Sequence, residues 1–172
     1  DHPERLGRLV LMGPGGLQQN LFSPDPTEGI KRLYEFGAEP TRERMRAFVS
    51  TMGHDQRLVT DELVDERLAA ATAPGAREAM QAMGASFMDP DVYEQGFLWR
   101  DAYKIRARTL LTWGREDRVN PVDGAFLGLK LIPKASLHVF PHCGHWAQIE
   151  AAEDFHAVTR AFLAQHRERP SR

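Results

Sequence analysis

A single cysteine, Cys143, stands among the 172 residues. One thiol can form no internal disulfide and build no metal–thiolate cluster, a usage that fits a reducing cytoplasm. Basic residues are not in excess either: 22 Lys and Arg face 24 Asp and Glu, for a formal charge of -2 and a pI near 6.4. Nucleic acid is therefore not an expected partner, because nothing here concentrates phosphate. The opening DHPERLGRLVLMGPGG has no basic n-region and no long apolar h-region, so no targeting signal is visible. Internal repeats and low-complexity runs are absent, and 42% hydrophobic with 27% charged residues speaks against disorder and against membrane spanning. What remains is one compact domain whose chemistry must come from oxygen and nitrogen groups.

Three short apolar runs carry the strand signal. Arg8 to Met12 is stopped by Gly13, Pro14, Gly15 and Gly16; Arg108 to Trp113 is stopped by Gly114; Ser136 to Phe140 is stopped by Pro141. Helices are expected over Pro121 to Leu131, with Pro in the first turn, and over Glu150 to Gln165. Strand, helix, strand, helix predicts a parallel α/β layer. The stretch from about Leu17 to Lys104 is patterned differently. Met45, Phe48, Val49 and Met52 recur at helical spacing after Thr41, and Thr60 with Asp61 and Glu62 forms a helix start for Leu63, Val64, Arg67 and Leu68. Met45, Met52, Met80, Met83 and Met88 lie in this insertion with Phe87, Phe97 and Trp99. Such side chains either line an adaptable apolar pocket or fill the insertion's own core. Three parallel strands make an incomplete sheet, so further strands are expected upstream.

Functional groups in open parallel sheets collect beyond the carboxyl ends of strands. Asp117 lies just past the strand ending at Trp113, and His145 just past the one ending at Phe140, which places both on one rim. A carboxylate that receives a proton from one imidazole nitrogen leaves the other free to take a proton from a nucleophile. Taken singly, Asp117 reads as a turn or cap residue and His145 as a hydrogen-bonded structural histidine. Two further combinations are weaker: a metal site from His138, His142 and His145, and a Cys143–His145 nucleophilic pair.

The order of G-R-E-D-R-V-N-P and then C-G-H-W resembles the C-terminal part of the α/β-hydrolase fold, whose chain order is nucleophile, acid, histidine. Within that superfamily the stretches MGPGGLQQNLFSPDPTEG, ELVDER and LHVFPHCGHWAQIE resemble the meta-cleavage-product hydrolases, serine enzymes that cut a carbon–carbon bond in vinylogous diketones. They are most similar to the actinobacterial steroid-ring branch.

The resemblance implies residues 1–16 as core strand and turn, 17–104 as a helical lid, and 105–172 as C-terminal core strands and helices bearing the triad acid and histidine. It implies Asp117 and His145 as catalytic residues, with Arg67, Trp146 and Cys143 at the substrate. Arg67 would sit near the dienoate end and Trp146 would pack there, with Cys143 a small wall residue. On the residues alone, Arg67 reads as a solvated helix position and Trp146 as core packing. No G-x-S-x-G occurs in the sequence. The nucleophile is thus expected upstream of Asp1, and the chain is expected to be a portion of a longer enzyme, inactive by itself. The resemblance further implies a cytoplasmic homo-oligomer with no cofactor, acting on a small-molecule dienoate with a phenyl, alkyl or seco-steroid leaving portion. The alternatives are an ester or lactone hydrolase of the same fold and a catalytically silent fragment or binding domain.

Overall fold

The computed structural model describes residues 2–17, 26–89, 92 and 95–165. Its sheet has three parallel strands in the spatial order β1 (Arg8–Met12), β2 (Arg108–Gly114) and β3 (Ala135–Phe140). The middle strand is buried from Thr109 onward, as a parallel strand covered on both faces requires. Leu111 lies opposite Leu11 on one side and Leu137 on the other. Burying a leucine this completely contributes about 1.5–3 kcal/mol. Thr112, buried beside it, avoids the cost of an unpaired hydroxyl by donating to the Leu11 carbonyl at 3.1 Å.

All three expected strands are present; β2 runs one residue further, to Gly114, and β3 begins one earlier, at Ala135. The helix expected from Pro121 begins instead at Asp123 (α5, Asp123–Leu131). The carbonyls of Pro121 and Val122 are taken by the N–H groups of Gly124 and Ala125, an i to i+3 pattern tighter than an α-helix. The closing helix expected from Glu150 begins instead at Ala152 (α7, Ala152–Ala164), preceded by a short helix α6 (Ala147–Glu150). Ala151 separates them, with φ -115° and ψ 40°.

Between β1 and β2 the chain makes a helical excursion of α1 (Glu28–Ala38), α2 (Arg42–Met52), α3 (Asp61–Ala71) and α4 (Ala76–Met88), closed by a 3₁₀ segment, Leu98–Lys104. The two threonine caps are formed: Thr41 Oγ1 accepts from Arg44 N at 3.3 Å and Thr60 Oγ1 from Leu63 N at 3.2 Å. Phe36, Met45, Val49 and Val64 build the excursion's own core, which decides between the two readings of Met45. Met80 packs against that core and, with Met83, also lines an apolar cavity of about 190 Å³ with Leu33, Tyr34 and Gly37 on the seam of α1 and α4. The side chains of Phe87 and Met88, and residues 18–25, lie outside the described residues. Both ends of the excursion belong to the sheet's packing, since Leu17 and Ala102 join Leu111 and Ile132 in one buried cluster. Among the described residues no helix is long and apolar enough to cross a membrane.

Candidate active site

Parallel pairing brings the carboxyl ends of β2 and β3 side by side, and the loop leaving each strand turns across the other. Arg115 N–H donates to the Phe140 carbonyl at 2.9 Å and Glu116 N–H to the Cys143 carbonyl at 2.9 Å. The crossing is so close that a Cβ on Gly114 would collide with the carbonyl oxygens of Cys143 and Gly144. Within this crossing Asp117 Oδ2 and His145 Nδ1 stand 2.8 Å apart. Asp117 is buried, with no exposed side-chain surface, whereas the His145 side chain keeps 20% of its surface exposed.

Each partner is held from behind. Asp117 Oδ1 accepts from the N–H groups of Val119 at 2.8 Å and Asn120 at 2.9 Å, so the loop after the acid folds back around its carboxylate. The histidine loop turns through His142, which adopts a left-handed φ of 54°. Glu116 Oε2 accepts from Cys143 N at 2.9 Å, and Glu150 Oε2 accepts from Gly144 N at 2.6 Å. Burial pushes the Glu116 carboxyl up, but the Cys143 N–H bond and the adjacent Arg115 guanidinium outweigh it and hold the group below the ordinary carboxylate range.

Three residues that were not singled out from the sequence complete the arrangement. Gly13, at φ 47°, passes directly over the pair: a Cβ there would sit 3.2 Å from Asp117 Oδ2 and 3.2 Å from His145 Nδ1. Asn120 Nδ2 donates to the Gly13 carbonyl at 2.6 Å, while the Asn120 carbonyl accepts from the Trp113 indole N–H at 2.6 Å. Asn120 thereby ties the β1 turn to the acid's loop. Glu150 supports Gly144, next to the histidine. Gly13 and Asn120 had local signals, in GPGG and GREDRVNP; Glu150 had none beyond a helix-start reading.

Of the remaining site residues, Trp146 packs against the Phe36, Met45, Val49 and Val64 cluster and so joins the histidine loop to the helical excursion. Arg67, on α3, is exposed, and its guanidinium carbon stands 5.7 Å from the centre of the Trp146 ring. The two are therefore brought together, in cation–π range, one residue from His145. Cys143 faces the other way, into an apolar cluster with Phe140, Ala147 and Phe155, where it is 1% exposed. Burial first, and then the neighbouring carboxylates Glu150, Glu116 and Asp117, push its thiol up to about 12. That environment suits a packing residue and opposes a nucleophile. Among the described residues no group of three His, Cys, Asp or Glu side chains converges as metal ligands.

The arrangement can hold an imidazole in one tautomer and present its other nitrogen at a sheet rim. The chain is similar to several known proteins. A 2-hydroxy-6-oxo-6-phenylhexa-2,4-dienoate hydrolase of Burkholderia cepacia is 42% identical over 167 residues, covering 95% of this chain and 56% of the relative. A 2-hydroxy-6-oxononadienedioate/2-hydroxy-6-oxononatrienedioate hydrolase of Comamonas testosteroni is 43% identical over 167 residues with the same coverage. The solved meta-cleavage product hydrolase of Pseudomonas fluorescens IP01 superposes with a TM-score of 0.78 at 34% identity, over 93% of this chain and 56% of that one. The chain thus spans about 56% of the length of these relatives. The model of the alpha/beta hydrolase fold family matches residues 1–152, and with the parallel strands and rim loops described above the chain belongs to that family.

Proposed function

We propose that the chain supplies the acid, the histidine and the lid of a serine-dependent hydrolase that cleaves a carbon–carbon bond in 2-hydroxy-6-oxo-dienoates from aromatic or steroid ring cleavage. The observation that carries this reading is the 2.8 Å approach of His145 Nδ1 to Asp117 Oδ2, with Asp117 Oδ1 already occupied by two backbone N–H groups. Residues 17–104 act as the lid, and residues 1–16 and 105–172 as parts of the core that carry the rim loops.

An acceptor carboxylate at Nδ1 favours the tautomer with the proton on that nitrogen and leaves Nε2 to act as the base. In the reaction, ketonisation first moves the dienol proton onto C5. A serine hydroxyl, supplied from outside these 172 residues, then attacks the C6 carbonyl while its proton passes to His145 Nε2. The C6 oxyanion collapses, the C5–C6 bond breaks, and the electron pair delocalises into a dienolate, which takes the proton back from His145 Nε2 and departs as 2-hydroxypenta-2,4-dienoate. Water, deprotonated by the now neutral histidine, attacks the acyl-serine; the serine oxygen leaves with that proton as the acid is released.

Arg67 offers a planar cation to the dienoate end, and Trp146 holds it in place through the face of its ring. Cys143 takes no part in bond making and backs the loop from within the core. The leaving portion is a phenyl, alkyl or seco-steroid group, the last suggested by the likeness of MGPGGLQQNLFSPDPTEG, ELVDER and LHVFPHCGHWAQIE to the steroid-ring branch. The same likeness supports a cytoplasmic homo-oligomer that needs no cofactor.

The test uses the full-length protein that carries this chain and follows the loss of the dienoate's visible absorbance with phenyl, alkyl and seco-steroid substrates. His145→Ala is expected to lower kcat by about 10²–10⁴-fold while substrate still binds. Arg67→Ala should weaken binding and rate together, because the same contact serves ground state and transition state. Hydrolysis of simple esters without dienoate turnover would move the reading to an ester or lactone hydrolase. Binding without turnover of either would make the protein a non-catalytic binder.

A further inference from the structure

The geometry points to Glu150 as a positioning residue that latches the end of α2 to the histidine loop and so sets the approach of His145 to Asp117. Its carboxylate gathers three backbone N–H groups from two directions. Oε2 accepts from Gly144, immediately before His145, at 2.6 Å. Oε1 accepts from His54 at 2.7 Å and Asp55 at 2.8 Å, in the turn that follows α2. Immediately after His145, Trp146 N–H donates to the Met52 carbonyl at 3.0 Å. The histidine is thereby flanked by Trp146, bonded directly to Met52, and by Gly144, linked to His54 and Asp55 through the Glu150 carboxylate.

The fit is too close for a loose surface contact. A Cβ on Gly144 would lie 2.7 Å from His54 N, 2.9 Å from the Gly53 carbonyl carbon and 3.0 Å from Glu150 Oε2. The acid's loop grips the same part of the excursion. The Arg118 guanidinium donates to the Ser50 carbonyl, reaches the Gly53 carbonyl at 3.4 Å, and pairs with Glu28 at 3.2 Å. Segment Ser50–Asp55 therefore touches the loops of both members of the pair, and Glu150 is the ionic centre on the histidine side. A carboxylate suits this place because two acceptor oxygens can serve three donors, which an amide cannot do without turning its NH2 toward an N–H.

This assignment rests on the proposed acid–histidine chemistry and extends it to a residue outside the triad. In the full-length protein, Glu150→Gln keeps size and shape but must set its NH2 against either Gly144 N–H or the His54 and Asp55 pair. We expect kcat to fall by about 10–100-fold, as a displacement near 1 Å of a reacting group does, with KM changed less than about threefold. The low-field proton resonance of the His145 Nδ1–Asp117 hydrogen bond should be lost below the melting transition. Unchanged kcat, or a lowered melting temperature with the low-field proton and kcat retained, overturns the assignment.

If Glu150→Gln does not fold, Asp55→Pro and Asp55→Ala decide. Asp55 already has φ -77°, which proline shares, so the ring removes one donor to Glu150, whereas alanine keeps it. A kcat about tenfold lower in the proline variant than in the alanine variant supports the latch, and equal values sink it. A wild-type protein with no dienoate turnover would defeat the proposed reaction, not the latch, which the low-field proton of wild type against the variants would still judge.

Discussion

Replacing Gly13 by alanine perturbs the candidate site through one methyl group whose nearest neighbours are Asp117 and His145. Gly13 has φ 47°, and an L-residue held in that left-handed region costs about 1–2 kcal/mol. The added Cβ would meet Asp117 Oδ2 and His145 Nδ1 at 3.2 Å each and His145 Cε1 at 3.3 Å. Those contacts are tight by a few tenths of an ångström, so one partner must yield. Asp117 cannot do so easily, because it is buried and its other oxygen holds two backbone N–H groups. The partly exposed imidazole therefore moves, and the 2.8 Å hydrogen bond lengthens.

A misplacement of this kind lowers kcat by up to about 100-fold, equivalent to about 2.7 kcal/mol at 1.36 kcal/mol per factor of ten. The assay is kcat for the proposed dienoate cleavage in the full-length protein, measured alongside the melting temperature. Gly16→Ala is the control: it sits at φ 81°, and its Cβ would meet Leu98 and the Gly96 carbonyl, not the pair. Both variants should lose stability, and Gly13→Ala should lose far more activity. Equal activity losses, or a Gly13→Ala enzyme within about twofold of wild type, would refute the view that this glycine exists to let backbone cross the acid–histidine bond.

Cys143, with its thiol pushed up to about 12, should resist alkylation in the native protein at pH 8 and react fully on unfolding, as a mass-spectrometric time course would show. The sign of its pH effect follows: an unfolded thiol ionises near about 8.5, so this group's contribution to stability is present below that pH and is lost as pH rises toward 12. Rapid native alkylation would contradict its burial. Thr60→Ala removes the acceptor for Leu63 N at the start of α3 and should cost about 1 kcal/mol in denaturant unfolding. Thr60→Ser should restore most of that loss, and an alanine variant as stable as wild type would remove the cap from the account.

How much of this was written along the chain differs from element to element. The three strands were legible because each is a short, largely apolar run, unbroken in the buried middle strand, and Gly13, Gly114 and Pro141 punctuate their ends. Thr41 and Thr60 announced helix starts because a cap is a bond between residues three apart, entirely local. Asp117 and His145 could be placed on one rim because parallel strands carry their following loops to the same edge. Single-residue limits were less legible: tight turns at Pro121 and the break at Ala151 depend on packing that no local pattern encodes.

The meeting of Asp117 with His145 at hydrogen-bond distance was decided only when β2 and β3 paired and their loops crossed over Gly114. Asn120 and Gly13 stand more than a hundred positions apart, and Glu150 and His54 almost as far; no periodicity or motif relates them. The exposed helix position of Arg67 gained Trp146 as a neighbour in the same way. Hydrophobic patterning and caps act over a few residues, so the sequence by itself determines which elements form and which rim carries the polar groups. Distances of tenths of an ångström between loops arise only from the closed packing of those elements, and there the tertiary structure alone decides which carboxylate holds which N–H.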